Sequence, residues 1–249
     1  MKDKIEKLIE NICQVCEGKT KFKCEKDGYS IFQCNDCAFL FVNPYPTDDE
    51  IRNFYSLSYR GAKKDFYPKL NSRKRRAFLK ALKFTRLIYG KKTIDIGCGG
   101  GIMAETFRRL GADSSGLDIS ENSINFAKTN YPKCKFYCET FQENMKRDLR
   151  FDFIFTTELM EHLAGPHNFM KLIKASSKPR TYVYIATPDS GHNVVPADFS
   201  TWSDICPPEH LQWFNKSNLK KLFSDYGFVL VKSYKKTSPA LSLLFMKSE

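Results

Sequence analysis

Two identical cysteine spacings stand near the start of the chain. Cys13-Gln-Val-Cys16 and Cys34-Asn-Asp-Cys37 enclose seventeen residues, inside the C-x2-C, 15 to 20 residues, C-x2-C arithmetic that gathers four thiolates around one zinc ion. Each pair sets two thiolates on one tight turn, and a hairpin joining the turns closes the tetrahedral sulfur shell that zinc favours. Tyr29-Ser-Ile-Phe-Gln33 alternates as a strand should, with Asp27-Gly28 as the turn before it. The spacing predicts a zinc ribbon over residues 1–45, with Cys24 outside the ligand set. A unit this small cannot bury enough surface alone, so the metal supplies much of its stability.

A second group of residues is built for a ligand rather than a metal. Asp95-Ile-Gly-Cys-Gly-Gly-Gly101 follows a short apolar strand and opens a helix, which is where a doubly wound fold brings backbone amides against an anionic or nucleotide ligand. A dinucleotide fingerprint would place its third glycine at position 102, where this chain has Ile102. Asp118 ends the next strand, in Gly116-Leu-Asp-Ile-Ser120, and a carboxylate there can accept hydrogen bonds from both ribose hydroxyls.

Proton-transfer chemistry needs a titratable group beside the acceptor. Glu158-Leu-Met-Glu161-His162 and Pro207-Pro-Glu-His210-Leu211 supply the candidates His162, His210 and Glu161. His192 lies in the loop running from Pro188 through Trp202, and His167 reads as a surface residue at a helix start.

The elements that must hold these residues follow from periodicity. Thr47-Asp-Asp-Glu50 is a capping box opening a helix with Ile51, Phe54 and Tyr55. A second helix runs from near Pro68 toward Tyr89, with Ala77, Phe78, Ala81, Leu82 and Ile88 on one face and Gly90 as its stop. Residues 46–90 thus form a helical connector, and 91–249 the main domain. Beyond Gly90 strand and helix alternate: strands at Thr93–Ile96, Ser115–Leu117, Lys135–Cys138, Phe151–Phe155 and Tyr182–Ala186 are separated by helical segments, including one capped by Ser120. Such alternation means a parallel sheet covered by helices on both faces, an α/β fold. A helix over Leu219–Tyr226 and late strands at Phe228–Val231 and Leu241–Met246 break the pattern and suit a hairpin at one edge.

The chain's 249 residues allow one sizeable core with a small appendage. Hydrophobic residues at 42% with 27% charged exclude a disordered or fibrous chain. No apolar run reaches the ~20 residues of a membrane span, and residues 1–10 alternate charge with Ile and Leu where a signal peptide would not, so a cytoplasmic protein is expected. Nine cysteines then mean metal ligands or reduced thiols rather than disulfides. The net charge is +12, and between Arg60 and Arg86 eleven Lys or Arg face only Asp65. That run, with Arg73, Lys74, Arg75 and Arg76 at its centre, attracts phosphate, nucleic acid or an acidic surface, or is a solvated helix face.

Asp95-x-Gly97-x-Gly99-x-Gly101, Asp118 and Phe151-Asp-Phe-Ile-Phe155 followed by Thr-Thr-Glu-Leu-Met-Glu-His-Leu163 resemble, as a set, class I S-adenosylmethionine-dependent methyltransferases. Pro188 and Phe228 fall where that family puts them. The resemblance implies a Rossmann-like seven-stranded sheet, six strands parallel and the last antiparallel. It also implies that Asp95 and Gly97 face the methionine end of S-adenosylmethionine, with Gly99 in the same turn, Asp118 the ribose, Ile119 the adenine face, and Glu139 with Phe141 the adenine edge. Glu158 joins this cofactor set. Cys138-Glu139 departs from the family's usual Gly-Asp pair. Tyr55 and Tyr59 resemble tyrosines that some small-molecule methyltransferases fold over the cofactor. Glu158-x-x-Glu161-His162 is similar to a sequence in quinone O-methyltransferases associated with a divalent metal, although one helical turn offers too few ligands by itself.

A zinc ribbon, then Asn-Pro-Tyr-Pro-Thr, then this core with Pro-Glu-His-Leu, resembles bacterial methyltransferases of sugar and surface-glycan biosynthesis. That resemblance implies a small acceptor, a sugar or nucleotide-sugar whose phosphate the basic residues would bind. The competing reading is an RNA methyltransferase that docks RNA through the ribbon and the basic helix. Against it, neither Asn-Pro-Pro-Tyr nor Asp-Pro-Pro-Tyr follows the fourth strand, nor a Pro-Cys nucleophile. A third reading, a cofactor-binding scaffold for a catalytic partner, would be favoured by loss of Asp118, which is present.

Overall fold

A computed structural model describes residues 12–47, 49–51 and 69–249. Phe54, Tyr55 and Tyr59, and the basic run before Lys69, lie outside the described residues.

The main sheet has seven strands, β4 (Lys92–Ile96), β5 (Asp113–Asp118), β6 (Lys135–Cys138), β7 (Phe151–Thr157), β8 (Ser177–Pro188), β10 (Phe228–Ser233) and β11 (Ala240–Lys247), in the order β10-β11-β8-β7-β4-β5-β6. β11 is antiparallel to both of its neighbours while the other pairs are parallel, the arrangement expected from the resemblance. Within this sheet the chain enters at β4, winds outward through β5 and β6, then returns to β7 on the other side of β4. That reversal opens a crevice at the carboxyl ends of β4, β5 and β7.

Alternation along the strands sends side chains to two layers. Ile154, Val183, Ile185, Leu243 and Phe245 pack with Phe169 and Ile173 of helix α5 (His167–Ala175) and with Leu219, Leu222 and Phe223 of α6 (Lys216–Asp225). Phe153, Phe155, Tyr184 and Leu244 face the other way, onto α1 (Leu70–Ala81), Phe84 and Phe107 of α2 (Ile102–Arg109). Helix α3 (Glu121–Asn130), begun by the expected Ser120 cap, and the short α4 (Phe141–Met145) complete the cover.

The basic helix does not run unbroken toward Tyr89. After α1 the chain tightens into a 3-10 turn at Leu82–Phe84 and then one helical turn, Thr85–Ile88. Tightening alters the phase, so Phe84 points inward with its ring 4.7 Å from Tyr184 and 5.2 Å from Phe153. Ala77, Ala81 and Ile88 are buried as expected, but Phe78 and Leu82 are 45% and 47% exposed. Helix α6 also starts earlier than the periodicity suggests, because Asn215 caps it by accepting the Asn218 N–H at 2.9 Å.

At the other end, β1 (Thr20–Lys26) and β2 (Tyr29–Cys34) form a hairpin through Asp27-Gly28, and β3 (Leu40–Val42) pairs with β2. The expected capping box is present, with the Thr47 N–H donating to Glu50 Oε2 at 2.7 Å. A fourth strand comes from far along the chain: β9 (Gln212–Trp213) pairs with β3, Leu40 opposite Trp213 and Phe41 opposite Gln212. Phe39 and Phe41 continue into the apolar layer of α5 and α6, Phe39 lying 4.9 Å from Phe214. The boundary expected near residue 45 is therefore crossed by both a strand pair and a shared core. Among the described residues no helix is long and apolar enough to cross a membrane.

Candidate active site

The glycine turn sits at the mouth of the crevice and is fastened to β5. Gly97 and Cys98 donate their N–H groups to the Leu117 carbonyl at 2.8 and 3.0 Å. Gly97 has φ 77°, and a Cβ there would stand 3.1 Å from the Leu159 side chain. Gly101 has φ 75°, and a Cβ would meet the Phe136 ring at 2.6 Å, so glycine is what lets α2 begin against the sheet. Asp118 locks the turn from the other side: its carboxylate accepts the Gly99 N–H at 2.7 Å and the Ser120 N–H at 2.9 Å.

Asp95, at the end of β4, is 5% exposed. Burial first, and then repulsion from Asp118, raise its carboxyl from 3.8 to about 7, with the ammonium of Lys80 opposing the rise. Ile119, next to Asp118, is 74% exposed. Glu139 is engaged inside the protein, accepting from Arg147 and, at 3.1 Å, from Asn144 Nδ2. The Arg147 bond holds the Glu139 carboxyl below the usual range. Phe141 opens α4 behind the Thr140–Glu143 capping box and packs 6.1 Å from Phe169. Glu158 follows β7 in a left-handed conformation, φ 52°, its N–H donating to the Ala186 carbonyl at 3.0 Å.

Opposite the glycine turn, the 3-10 turn Met160–His162 is stitched to the segment before and within β9. The Leu211 N–H donates to the Glu161 carbonyl at 2.7 Å and Gln212 Nε2 to the Met160 carbonyl at 2.7 Å. His162 Nδ1 lies 2.7 Å from the Glu209 carbonyl, and His210 Nδ1 lies 2.9 Å from the Asp204 carbonyl. A carbonyl only accepts, so both Nδ1 atoms carry a proton, which leaves Nε2 as the lone-pair nitrogen whenever the imidazole is neutral. The two rings meet edge to face at 4.8 Å. Glu161 is fully buried; Thr187 donates to its Oε2 at 2.9 Å while Oε1 has no partner among the described residues. Burial, with Glu158 adding to it, raises the Glu161 carboxyl to about 8.

One ligand atom from each of Glu161, His162 and His210 falls within 4.8 Å of the others. His210 supplies what the local Glu-x-x-Glu-His turn lacked. The other histidines lie elsewhere: His167 is exposed at the start of α5 with Nδ1 2.9 Å from the Tyr226 hydroxyl, and His192 Nδ1 accepts the Val194 N–H at 3.3 Å. Thr187 and Lys80 escaped the sequence reading. Thr187 could have been found from its place beside Pro188 at the end of β8, but Lys80 is one base among many in its run.

The four cysteines also converge. Cys13 and Cys37 Sγ are 3.6 Å apart, Cys16 and Cys34 Sγ 3.4 Å, and all four sulfurs lie within 4.8 Å of one another. Those separations exceed a disulfide bond, and the Val15 N–H bonding back to Cys13 Sγ at 3.3 Å is the knuckle turn that points thiolates inward. Cys24, on β1, stands outside the group.

This strand order, with a glycine turn at the switch point and an acid closing the next strand, defines the class I methyltransferase fold. The chain belongs to the family described as a methyltransferase domain, whose pattern matches residues 67–233. It is 29% identical over 152 residues to the ubiquinone biosynthesis O-methyltransferase of Coxiella burnetii (strain Dugway 5J108-111), covering 53% of this chain and 65% of that protein's length. Among solved structures it resembles magnesium protoporphyrin IX methyltransferase from Synechocystis PCC 6803 with bound SAH (TM-score 0.56, 15% identity, 80% of this chain and 94% of that one). It also resembles a putative sarcosine dimethylglycine methyltransferase from Galdieria sulphuraria (TM-score 0.57, 16% identity, 71% and 86%).

Proposed function

We propose that the protein transfers the methyl group of S-adenosylmethionine to a small-molecule acceptor. The observation that carries this reading is that Leu159, which leads directly into the Glu161–His162–His210 trio, packs against Gly97 of the Asp118-locked glycine turn. The sulfonium is already a strong donor, so the protein must hold the acceptor in line with the S–CH3 bond, exclude water and take the acceptor's proton. Asp95, Gly97 and Gly99 receive the methionine end, Asp118 the ribose and Ile119 one face of the adenine. Glu139 shapes the adenine edge through its bond to Arg147, with Phe141 beside it. A neutral imidazole whose Nδ1–H is tied to a carbonyl presents Nε2 as a base; His162 and His210 both do so, and buried Glu161 sets their surroundings.

The acceptor we place first is a sugar or nucleotide-sugar, methylated at oxygen or carbon, in the cytoplasm. The ribbon, the trio and the basic flank support it, and the O-methyltransferase name of the curated relative supports small-molecule methylation in general. The ribbon's four thiolates fit a structural zinc ion, whose role is to hold β3 in place for β9. A divalent ion on the trio is a second reading, favoured by the buried Glu161 Oε1, which no described residue satisfies, and by two imidazoles oriented from behind by backbone carbonyls. There an ion would polarise an acceptor oxygen. Methyl transfer from labelled S-adenosylmethionine, assayed against nucleotide-sugars, quinols and structured RNA, separates the acceptor classes. Turnover of RNA alone would replace this acceptor assignment.

A further inference from the structure

A row of aromatic rings leads outward from the crevice and carries unneutralised lysines. Phe155 of β7 stacks on Tyr184 at 5.1 Å, and Tyr184 meets Tyr234 at 6.0 Å. The Lys80 ammonium stands 5.8 Å from the Phe155 ring, Lys83 is 5.7 Å and Lys232 5.1 Å from the Tyr234 ring. Lys236 lies in the β10–β11 connection, on the same edge, with its carbonyl 3.4 Å from His192 Nε2. None of these four ammonium groups has a hydrogen bond or ion pair among the described residues. Lys80 is half-buried, and burial together with the nearby Lys236 lowers its pKa, with Glu158 and Asp95 opposing from the crevice side.

Lys80, Lys83 and Lys232 over these rings, with Lys236 near Lys80, repel one another, and a bound oxyanion relieves that repulsion. Arg73, Lys74, Arg75 and Arg76 make a poorer site. They are exposed along α1, and Lys74 is turned toward the Tyr131 ring at 5.7 Å.

We propose that Lys80, Lys83 and Lys236 form an oxyanion subsite for a phosphate carried by the methyl acceptor, with Tyr234 as its apolar floor. The proposal rests on the methyltransferase reading above and adds the chemical class of the acceptor. The cofactor's own carboxylate is the other source of the same chemistry, and Lys80, next to Asp95, is where the two differ.

The test is calorimetric titration of inorganic pyrophosphate into the full chain saturated with S-adenosylhomocysteine. The expected result is binding that weakens about tenfold or more in the exposed double variant Lys83→Met/Lys236→Met and is kept in the charge-matched Lys128→Met/Lys133→Met. Affinity for S-adenosylhomocysteine should be unchanged in both. Lys80→Met, which preserves the stem over Phe155, should weaken pyrophosphate and leave the preference for S-adenosylhomocysteine over methylthioadenosine, which lacks the amino-acid end, as in the wild type. Pyrophosphate that fails to bind, or binds both double variants equally, overturns the subsite. Loss of that preference in Lys80→Met, with pyrophosphate unaffected, overturns it in favour of the cofactor carboxylate. Absence of S-adenosylhomocysteine binding in the wild type would instead strike the underlying reading.

Discussion

Asp118 accepts the backbone N–H of Gly99 at 2.7 Å and that of Ser120 at 2.9 Å, so the carboxylate that the proposed function assigns to the ribose also shapes the glycine turn. Asp118→Ala removes an acceptor for two backbone donors and for the ribose hydroxyls. Affinity for S-adenosylhomocysteine should fall by ~1.5 to 3 kcal/mol, the worth of hydrogen bonds to a charged group. Asp118→Asn, which can keep an oxygen toward Gly99, should lose less.

Burial lifts Asp95 from 3.8 to about 7. Between those values the folded chain holds a proton that the unfolded chain has released, so the Asp95 contribution to stability should fall as pH rises from about 4 to about 7 and flatten above it, with Glu161, raised to about 8, adding a slope of the same sign. In thermal denaturation across that window, Asp95→Asn should flatten the slope. The cofactor's α-ammonium beside Asp95 would favour the carboxylate, so binding near pH 7 should release a proton, seen as a heat that depends on the buffer's ionisation enthalpy.

The pairing of β3 with β9 ties the cysteine cluster to the trio, since Leu211 bonds Glu161 just before β9 begins. Cys34→Ser should therefore do more than release about one zinc per chain. Hydrogen exchange should speed up at Leu211 and Trp213, and turnover should fall, while the amides of β4 and β5 stay protected. Unchanged protection at 211–213 after zinc is lost would show that the ribbon does not support the site.

His210→Gln and His162→Gln should each lower kcat, by about 10²- to 10⁴-fold for loss of a general base, with cofactor affinity intact. A chelator that spares the ribbon's zinc separates the two readings of the trio. Activity that survives it fits a base alone, and activity restored by added magnesium fits an ion held by Glu161, His162 and His210.

Much of this was legible because it is local. The glycine turn, Asp118, the Ser120 cap and the alternation of strands with helices follow from neighbouring residues and their periods, while the arrangement of the seven strands came from the family resemblance. The cysteine spacing likewise foretold the cluster of four sulfurs. What escaped depends on distant packing. Nothing around Gln212-Trp213 announces a strand, because two residues carry no period and their partner is β3. Phe84 was hidden by a 3-10 turn that breaks the helical phase, and the His162–His210 contact is set by that same β9 return. Ranking Lys80 above its basic neighbours required knowing that Phe155 lies beneath it.

The central claim is that the crevice holds S-adenosylmethionine, and calorimetry on the purified chain tests it most directly. The account predicts micromolar binding of S-adenosylmethionine and S-adenosylhomocysteine, weakened in Asp118→Ala and untouched by millimolar NAD. No binding of either compound, or displacement by NAD, would contradict it.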